Sequence, residues 1–187
     1  RLSQQLANRA ASLVGEGARD GAVLRAVHDV LYAQRGGRVS AAVTLISVDV
    51  PARSVVVSRN TDAPVVVARE GRVDVWADPV GPIGLQPLVR PDVRSLPVAA
   101  GTVVLAVTDG VPHAGRWAGR PLGAEGLAGL LGEALGRGLS PEAVAGRVLE
   151  AALAADEGRA RDDMAVAVVA IEPGEESEVR RLSLTYP

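Results

Sequence analysis

The sequence predicts an α+β fold in which antiparallel β-sheet packs against helices segregated along the chain. Three observations carry this. Helical periodicity stands in the first 35 residues and again over 123–155, with none between. The stretch between is a series of short β-type runs separated by turn residues. A last apolar run, MAVAVVAIE at 164–172, follows the second helical pair. A doubly wound parallel sheet needs helices between successive strands and is the weaker option.

Each element has its own local reason. Residues 1–14 place Leu2, Leu6, Ala10 and Leu13 at helical spacing, and Gly15 and Gly17 follow. A second helix starts after Asp20, an expected N-cap, with Val23, Leu24, Val27, Val30 and Leu31 as its stripe. It ends at Arg35-Gly36-Gly37, a cation in the last turn and glycine after it. AAVTLISV (41–48) and SVVVS (54–58) read as a hairpin around the turn at 49–53. NTDAP (60–64) is a further turn, VVVARE a third strand, and VDVWAD an alternating fourth. A Gly/Pro-rich loop, 78–87, and a short unassigned segment around 88–96 precede the strand at 102–108. The loop after that strand is long enough to be functional or mobile. A helix over 123–136 follows, on Leu127, Leu130, Leu131 and Leu135. Ser140-Pro141-Glu142 opens another, whose stripe is Val144, Val148, Leu149 and Ala152. The tail after 172 is expected to add an edge strand.

Composition narrows the function classes. The 187 residues suit one domain, 1–187, with 48% apolar and 22% charged residues, which is globular. With no Phe and two Trp, the core rests on small aliphatic side chains. A formal net charge of −2, with both signs interleaved, gives no footprint for nucleic acid or for an anionic membrane surface. No apolar run is long enough to span a bilayer. The absence of cysteine excludes disulfides and thiolate metal sites. There is no Gly-Lys-Ser/Thr phosphate loop and no nucleophile-elbow serine.

The acidic residues at strand ends are the main functional signal. VVLAVTDG puts Asp109 at the C-terminal end of a buried strand, and RDDMAVAVVAI puts Asp162 and Asp163 at the start of another. If those strands are antiparallel neighbours, the three carboxylates gather at one rim of the sheet. Crowded carboxylates repel, and a divalent cation relieves that; hard oxygen donors suit Mg²⁺ or Mn²⁺. Asp-Gly after a strand is also a common turn, and an Asp pair before one also blunts an edge. Both readings stay open from spacing alone. His113, four residues after Asp109, and Arg116 are candidate phosphate contacts or ordinary loop residues, as is Arg120. His28 is expected as a surface or helix-face residue, since nothing near it in sequence orients it.

Several stretches resemble the SpoIIE-like bacterial branch of the metal-dependent (PPM-type) protein serine/threonine phosphatases. VVLAVTDGVPHA is similar to that family's strand ending in Thr-Asp-Gly. RDDMAVAVVAI resembles its Asp pair entering a buried strand, GPIGLQP its Pro-Leu-Gly loop, and RNTDAP its Asn-Ala-Gly-His-Pro turn. RGGRVSAAVTLISVD fits its helix-to-strand passage, and the set runs in order over roughly residues 1–172. The resemblance implies an αββα-sandwich-like fold. It implies Asp109 and Asp162 as direct ligands of Mg²⁺ or Mn²⁺, with Asp163 an outer or alternative ligand. The nucleophile would be a metal-bound water attacking phosphoserine or phosphothreonine, with no catalytic side-chain nucleophile. It further implies a cytoplasmic bacterial signalling protein whose partner is a phosphorylated protein, such as an anti-sigma-factor antagonist.

The chain departs from the family pattern at three places. The family carries a further metal-binding Asp-Gly motif on strands ahead of the first helix, whereas the early Asp20-Gly21 here opens a helix. The domain is therefore expected to lack its first strands, either because they precede residue 1 or because this is a reduced member. NTDAP lacks the family's Gly and His, and Ala165 stands where Thr is frequent. An alternative function follows: a degenerate phosphatase-like domain that binds or regulates a partner without turnover.

Overall fold

A computed structural model describes residues 2–19 and 21–173. In chain order its elements are α1 (Leu2–Gly15), α2 (Gly21–Arg35), β1 (Val43–Asp49), β2 (Ser54–Asn60), β3 (Val65–Arg69), β4 (Arg72–Trp76), β5 (Asp92–Pro97), β6 (Val103–Val107), α3 (Gly110–His113), α4 (Gly123–Gly136), α5 (Pro141–Ala155) and β7 (Val166–Ala170). Every strand pairing among the described residues is antiparallel, so the α+β class is the observed one. Asp20, the expected N-cap, lies outside the described residues, as do the residues of the expected tail strand from 174 on. Among the described residues no helix is long and apolar enough to cross a membrane.

The chain divides into two compact units. The first comprises residues 1–62 and 78–98. Its sheet has the order β1-β2-β5. The β1–β2 hairpin pairs Val43 with Asn60 through Asp49 with Ser54, as the turn at 49–53 predicts. Leu6 and Ala10 of α1 and Val23, Val27 and Leu31 of α2 share a core with Ile83. The apolar spacing of both helices is the cause: each presents one stripe inward. The expected surface or helix-face position of His28 needs correction, because His28 is only 2% exposed. Its Nδ1 accepts the Gly84 N–H at 3.1 Å, a long-range anchor invisible to local sequence.

β5 occupies part of the segment left unassigned by periodicity. Its more buried positions are Asp92, Arg94 and Leu96, alternating with exposed Val93, Ser95 and Pro97. The charged residues face inward because Arg59 of β2, fully buried, donates to Asp92 Oδ2 at 2.8 Å and to the Asp78 carbonyl at 3.1 Å. Arg94 adds bonds to Asp92 and to Asp78. A buried guanidinium is tolerated when its charge is matched and its N–H groups are satisfied.

The second unit comprises residues 63–77 and 99–187. Its sheet has the order β4-β3-β6-β7. β6 is buried at all five positions, the continuous burial that its unbroken apolar run requires. The core joins Val66, Leu105 and Val107 to Leu127 and Leu131 of α4 and Val144, Val148 and Ala152 of α5. Ser140 caps α5, its hydroxyl accepting the Ala143 N–H at 3.3 Å, with Pro141 at the first helical position. β7 is shorter than the strand expected over 164–172, beginning only at Val166.

Candidate functional site

β6 and β7 are antiparallel neighbours, with Val107 opposite Val166. The end of one therefore lies beside the start of the other. Pairing continues one residue further: the Thr108 N–H donates to the Ala165 carbonyl at 3.1 Å. The Thr108 hydroxyl then accepts the Ala165 N–H at 2.8 Å and donates to the Asp163 carbonyl at 3.0 Å. The segments carrying Asp109 and the Asp162-Asp163 pair thus meet at one rim of the second unit's sheet.

Gly110 makes that approach feasible. A Cβ built on it would lie 2.6 Å from the Asp163 carbonyl oxygen and 3.2 Å from Asp162 Cβ. No side chain fits there without moving the 162–163 backbone. Asp109 stands at the N-cap position of α3, and its carboxylate makes no capping bond. Asp162 Oδ1 accepts the Asp163 N–H at 2.8 Å, which commits one of its two oxygens. All three aspartates are solvent-exposed.

The donor set suits a hard divalent cation by its chemistry, carboxylate oxygen with neither thiolate nor imidazole at the rim. It is a partial set. Among the described residues no group of three His, Cys, Asp or Glu side chains is arranged to hold a metal ion. Asp109 and Asp162 each retain carboxylate oxygen that no hydrogen bond within the described residues occupies.

The segment expected as a loop after Asp109 is partly ordered. α3 spans Gly110–His113, and a 3-10 turn follows at Arg116–Ala118. His113 and Arg116 are both exposed on it. The His113 backbone N–H donates to the Asp109 carbonyl at 3.2 Å, but among the described residues no side-chain hydrogen bond joins His113 or Arg116 to the three aspartates. Trp117 is 79% exposed and Arg120 is exposed as well.

Two structural residues of the rim escape a sequence reading. Thr108 reads there as the last residue of a strand. Asp156, only 5% exposed, accepts the Gly115 N–H on Oδ1 at 2.8 Å and the Arg161 N–H on Oδ2 at 3.2 Å. It ties the segment after Asp109 to the one before Asp162. One signal was available: a carboxylate at a helix C-terminus opposes the macrodipole, so its presence beyond α5 calls for another role.

Comparison with known proteins matches residues 2–172 to the family described as Stage II sporulation protein E (SpoIIE). Among curated proteins none is significantly similar in sequence. The fold resembles that of the PP2C phosphatase domain with a fragment of the regulatory domain of SpoIIE from Bacillus subtilis, at TM-score 0.75 and 18% identity. That match covers 91% of this chain and 49% of that one, so the chain spans about half the length of that structure. The SiaA-PP2C domain of Pseudomonas aeruginosa matches at TM-score 0.73 and 18% identity, covering 91% of this chain and 69% of that one. The catalytic domain of the serine/threonine phosphatase PstP, in complex with 2 manganese ions, matches at 0.62 and 15%, covering 90% and 80%. At these identities the structures speak to the fold.

Proposed function

This chain belongs to the SpoIIE family of PPM-type phosphatases, and on that premise we propose that it hydrolyses phosphoserine or phosphothreonine on a protein in a reaction that depends on Mg²⁺ or Mn²⁺. The observation that carries the reading is the Thr108 stitch, which brings the Asp109 segment against Asp162 and Asp163. Asp109 and Asp162 would hold the ion, with Asp163 as an alternative donor. When bound, such an ion supplies Lewis acidity toward phosphoryl oxygen and a water of lowered pKa.

The chain's own residues do the rest. The Thr108 bonds and the room left by Gly110 fix the spacing of the carboxylate-bearing segments. Asp156 holds the segment that carries His113 and Arg116, which we assign as contacts to the substrate phosphate. A guanidinium suits phosphate because its N–H fork matches two oxygens at once. For the substrate we assign a phosphorylated small signalling protein in the cytoplasm, an anti-sigma-factor antagonist being the type the family suggests.

One observation favours a second reading, a phosphatase-like domain that binds a partner without turnover. The three aspartates are exposed and, among the described residues, form no complete ligand group. One experiment separates the two. Hydrolysis of an aryl phosphate and of a phosphoserine peptide is followed with EDTA, Mg²⁺ or Mn²⁺, using this chain and Asp109→Asn. Metal-dependent turnover lost in EDTA and in Asp109→Asn supports the phosphatase. A folded chain without turnover under any of these conditions overturns it in favour of the binding module.

A further inference from the structure

The segment after Asp109 leads into a turn that holds a tryptophan in water. The 3-10 turn at Arg116–Ala118 lies between Gly115 at φ +81° and Gly119 at φ +72°. The Ala118 and Arg120 N–H groups both donate to the Gly115 carbonyl, at 3.0 and 3.1 Å, and the Leu122 N–H donates to the Ala114 carbonyl at 2.9 Å. A Cβ on Gly115 would meet the Arg120 carbonyl oxygen at 2.4 Å, so a turn this tight requires glycine there. Trp117 stands on this ordered frame, 79% exposed. Tryptophan anchors protein contacts well, because its ring brings a large apolar area with few rotatable bonds.

A second segment is fastened to the same turn. Buried Asp156 accepts from the Gly115 N–H and from the Arg161 N–H, and its own carbonyl accepts the Arg159 N–H at 3.1 Å. Between the segments lies a hollow of about 90 Å³, with Gly115, Trp117 and Ala118 on one side and Ala155, Glu157 and Arg161 on the other. It is too small for a typical small-molecule site, which runs to roughly 300–1,000 Å³. It suits a contact with a polypeptide better.

The surface so assembled is cationic. Arg116, Arg120, Arg159 and Arg161 are all exposed on it. Residues 110–124 hold no carboxylate. Both oxygens of Asp156 are taken by backbone N–H groups, so Glu157 is the one exposed acid between 155 and 161. Among the described residues no ion pair involves any of the four arginines. The chain as a whole carries −2, without the overall positive excess of a nucleic-acid or membrane binder.

This patch adjoins the acidic rim along both chain segments: Arg161 directly precedes Asp162, and the turn follows the short helix that Asp109 opens. A polypeptide presenting a phosphorylated residue to the rim therefore has its neighbouring residues close to the patch. Arg116 is already assigned to the phosphate. We propose that Trp117, Arg120, Arg159 and Arg161 dock the residues flanking the phosphorylated serine or threonine of a protein substrate, and that those flanking residues are acidic. Trp117 supplies the apolar contact and the three guanidinium groups pair with carboxylates. The inference rests on the phosphatase reading and adds to it the sequence class of the substrate.

The test uses the whole chain and two fluorescein-labelled phosphoserine peptides of equal length, with either glutamate or glutamine flanking the phosphoserine. Binding is followed by anisotropy in EDTA, so that metal-dependent turnover does not consume the peptides. The glutamate peptide is expected to bind at least about tenfold tighter at low salt, the sum of several modest exposed pairs, with the advantage shrinking as salt rises. The preference should fall to about twofold or less in Arg120→Gln with Arg159→Gln, a ratio that a general loss of structure would not move selectively. Trp117→Ala should weaken both peptides. Equal affinity for the two peptides, a preference retained in the double variant, or unchanged binding by Trp117→Ala overturns the proposal. So does a single-stranded oligonucleotide of equal charge that binds as tightly as the glutamate peptide, which would mark a general polyanion surface. Turnover of an aryl phosphate with Mn²⁺ reads the phosphatase assignment separately: its absence fails that assignment, while the peptide pair still decides whether acidic flanks are docked here.

Discussion

The Thr108 hydroxyl and the Asp163 carbonyl are hydrogen-bonded at 3.0 Å, and the same hydroxyl accepts the Ala165 N–H at 2.8 Å. One side chain thereby extends the β6–β7 ladder past its last regular pair. Valine has nearly the same shape and neither bond. Thr108→Val is expected to lower stability by about 1 kcal/mol, a modest figure because water reaches this rim. Hydrolysis by the same variant should fall by at least about tenfold, since small displacements of acting groups are costly. Thr108→Ser keeps the hydroxyl and should retain most of both. Denaturant midpoints and turnover, measured side by side on the two variants, check this.

Gly110 sets the closeness of the two acidic segments. Alanine there would place its Cβ 2.6 Å from the Asp163 carbonyl oxygen, so the 162–163 backbone must shift. Gly110→Ala is expected to weaken Mn²⁺ affinity by about 10–100-fold, the range typical of disturbed ligand support. Calorimetric titration with Mn²⁺ reads this directly. Unchanged affinity would show that Asp109 and the Asp pair do not serve one ion.

Asp156 holds both flanks of the rim with one buried carboxylate. In Asp156→Asn, a single oxygen remains to accept, and the amide NH₂ must face one of the two backbone N–H donors. A buried donor left unpaired costs about 1–3 kcal/mol. The expected result is a loss of that size in stability. The Gly115 or Arg161 amide should also exchange its hydrogen faster than in the parent chain. If both amides keep their protection, the coupling of the two segments runs through other contacts.

These residues also show what the sequence could reveal. The β1–β2 hairpin, the Ser140-Pro141 cap and the meeting of the β6 and β7 ends were legible, because each rests on local turn chemistry or on long apolar runs. β5 was not. Its inward positions hold Asp92 and Arg94 while Val93 is 44% exposed, so its hydrophobic alternation is inverted. Only the distant Arg59 explains that pattern. His28 was misplaced for the same reason, its partner Gly84 lying 56 residues away. The helical turn after Asp109 carries Gly and Pro, which read locally as loop. The meeting of the segments that carry Asp109, Asp162 and Asp163 was legible on one condition, that the two strands be antiparallel neighbours, and β6 and β7 are. Thr108 and Asp156 were missed because their partners are backbone groups, which leave no mark on sequence.

The ion pairs around Asp92 predict how the chain responds to acid. Burial by itself raises the Asp92 pKa, but hydrogen bonds from Arg59 and Arg94, with their positive charges, outweigh it and hold the carboxyl below its ordinary value. The folded state therefore binds this proton less readily than the unfolded state does. The stabilisation is complete above the unfolded value of about pH 4 and is lost as pH falls from there through the folded value. Asp92→Asn should flatten that acid limb. At neutral pH it should cost roughly 2–3 kcal/mol, because fully buried Arg59 loses its counter-charge; partial exposure of Asp92 keeps the figure below that of a fully buried pair. Replacing both partners, as Arg59→Met with Asp92→Leu, removes the stranded charge and should cost less than Asp92→Asn alone. Urea midpoints of the three chains between about pH 3 and pH 7 distinguish the cases. A double variant less stable than Asp92→Asn would mean that the remaining Arg59 bond to the Asp78 carbonyl matters more than its charge pairing.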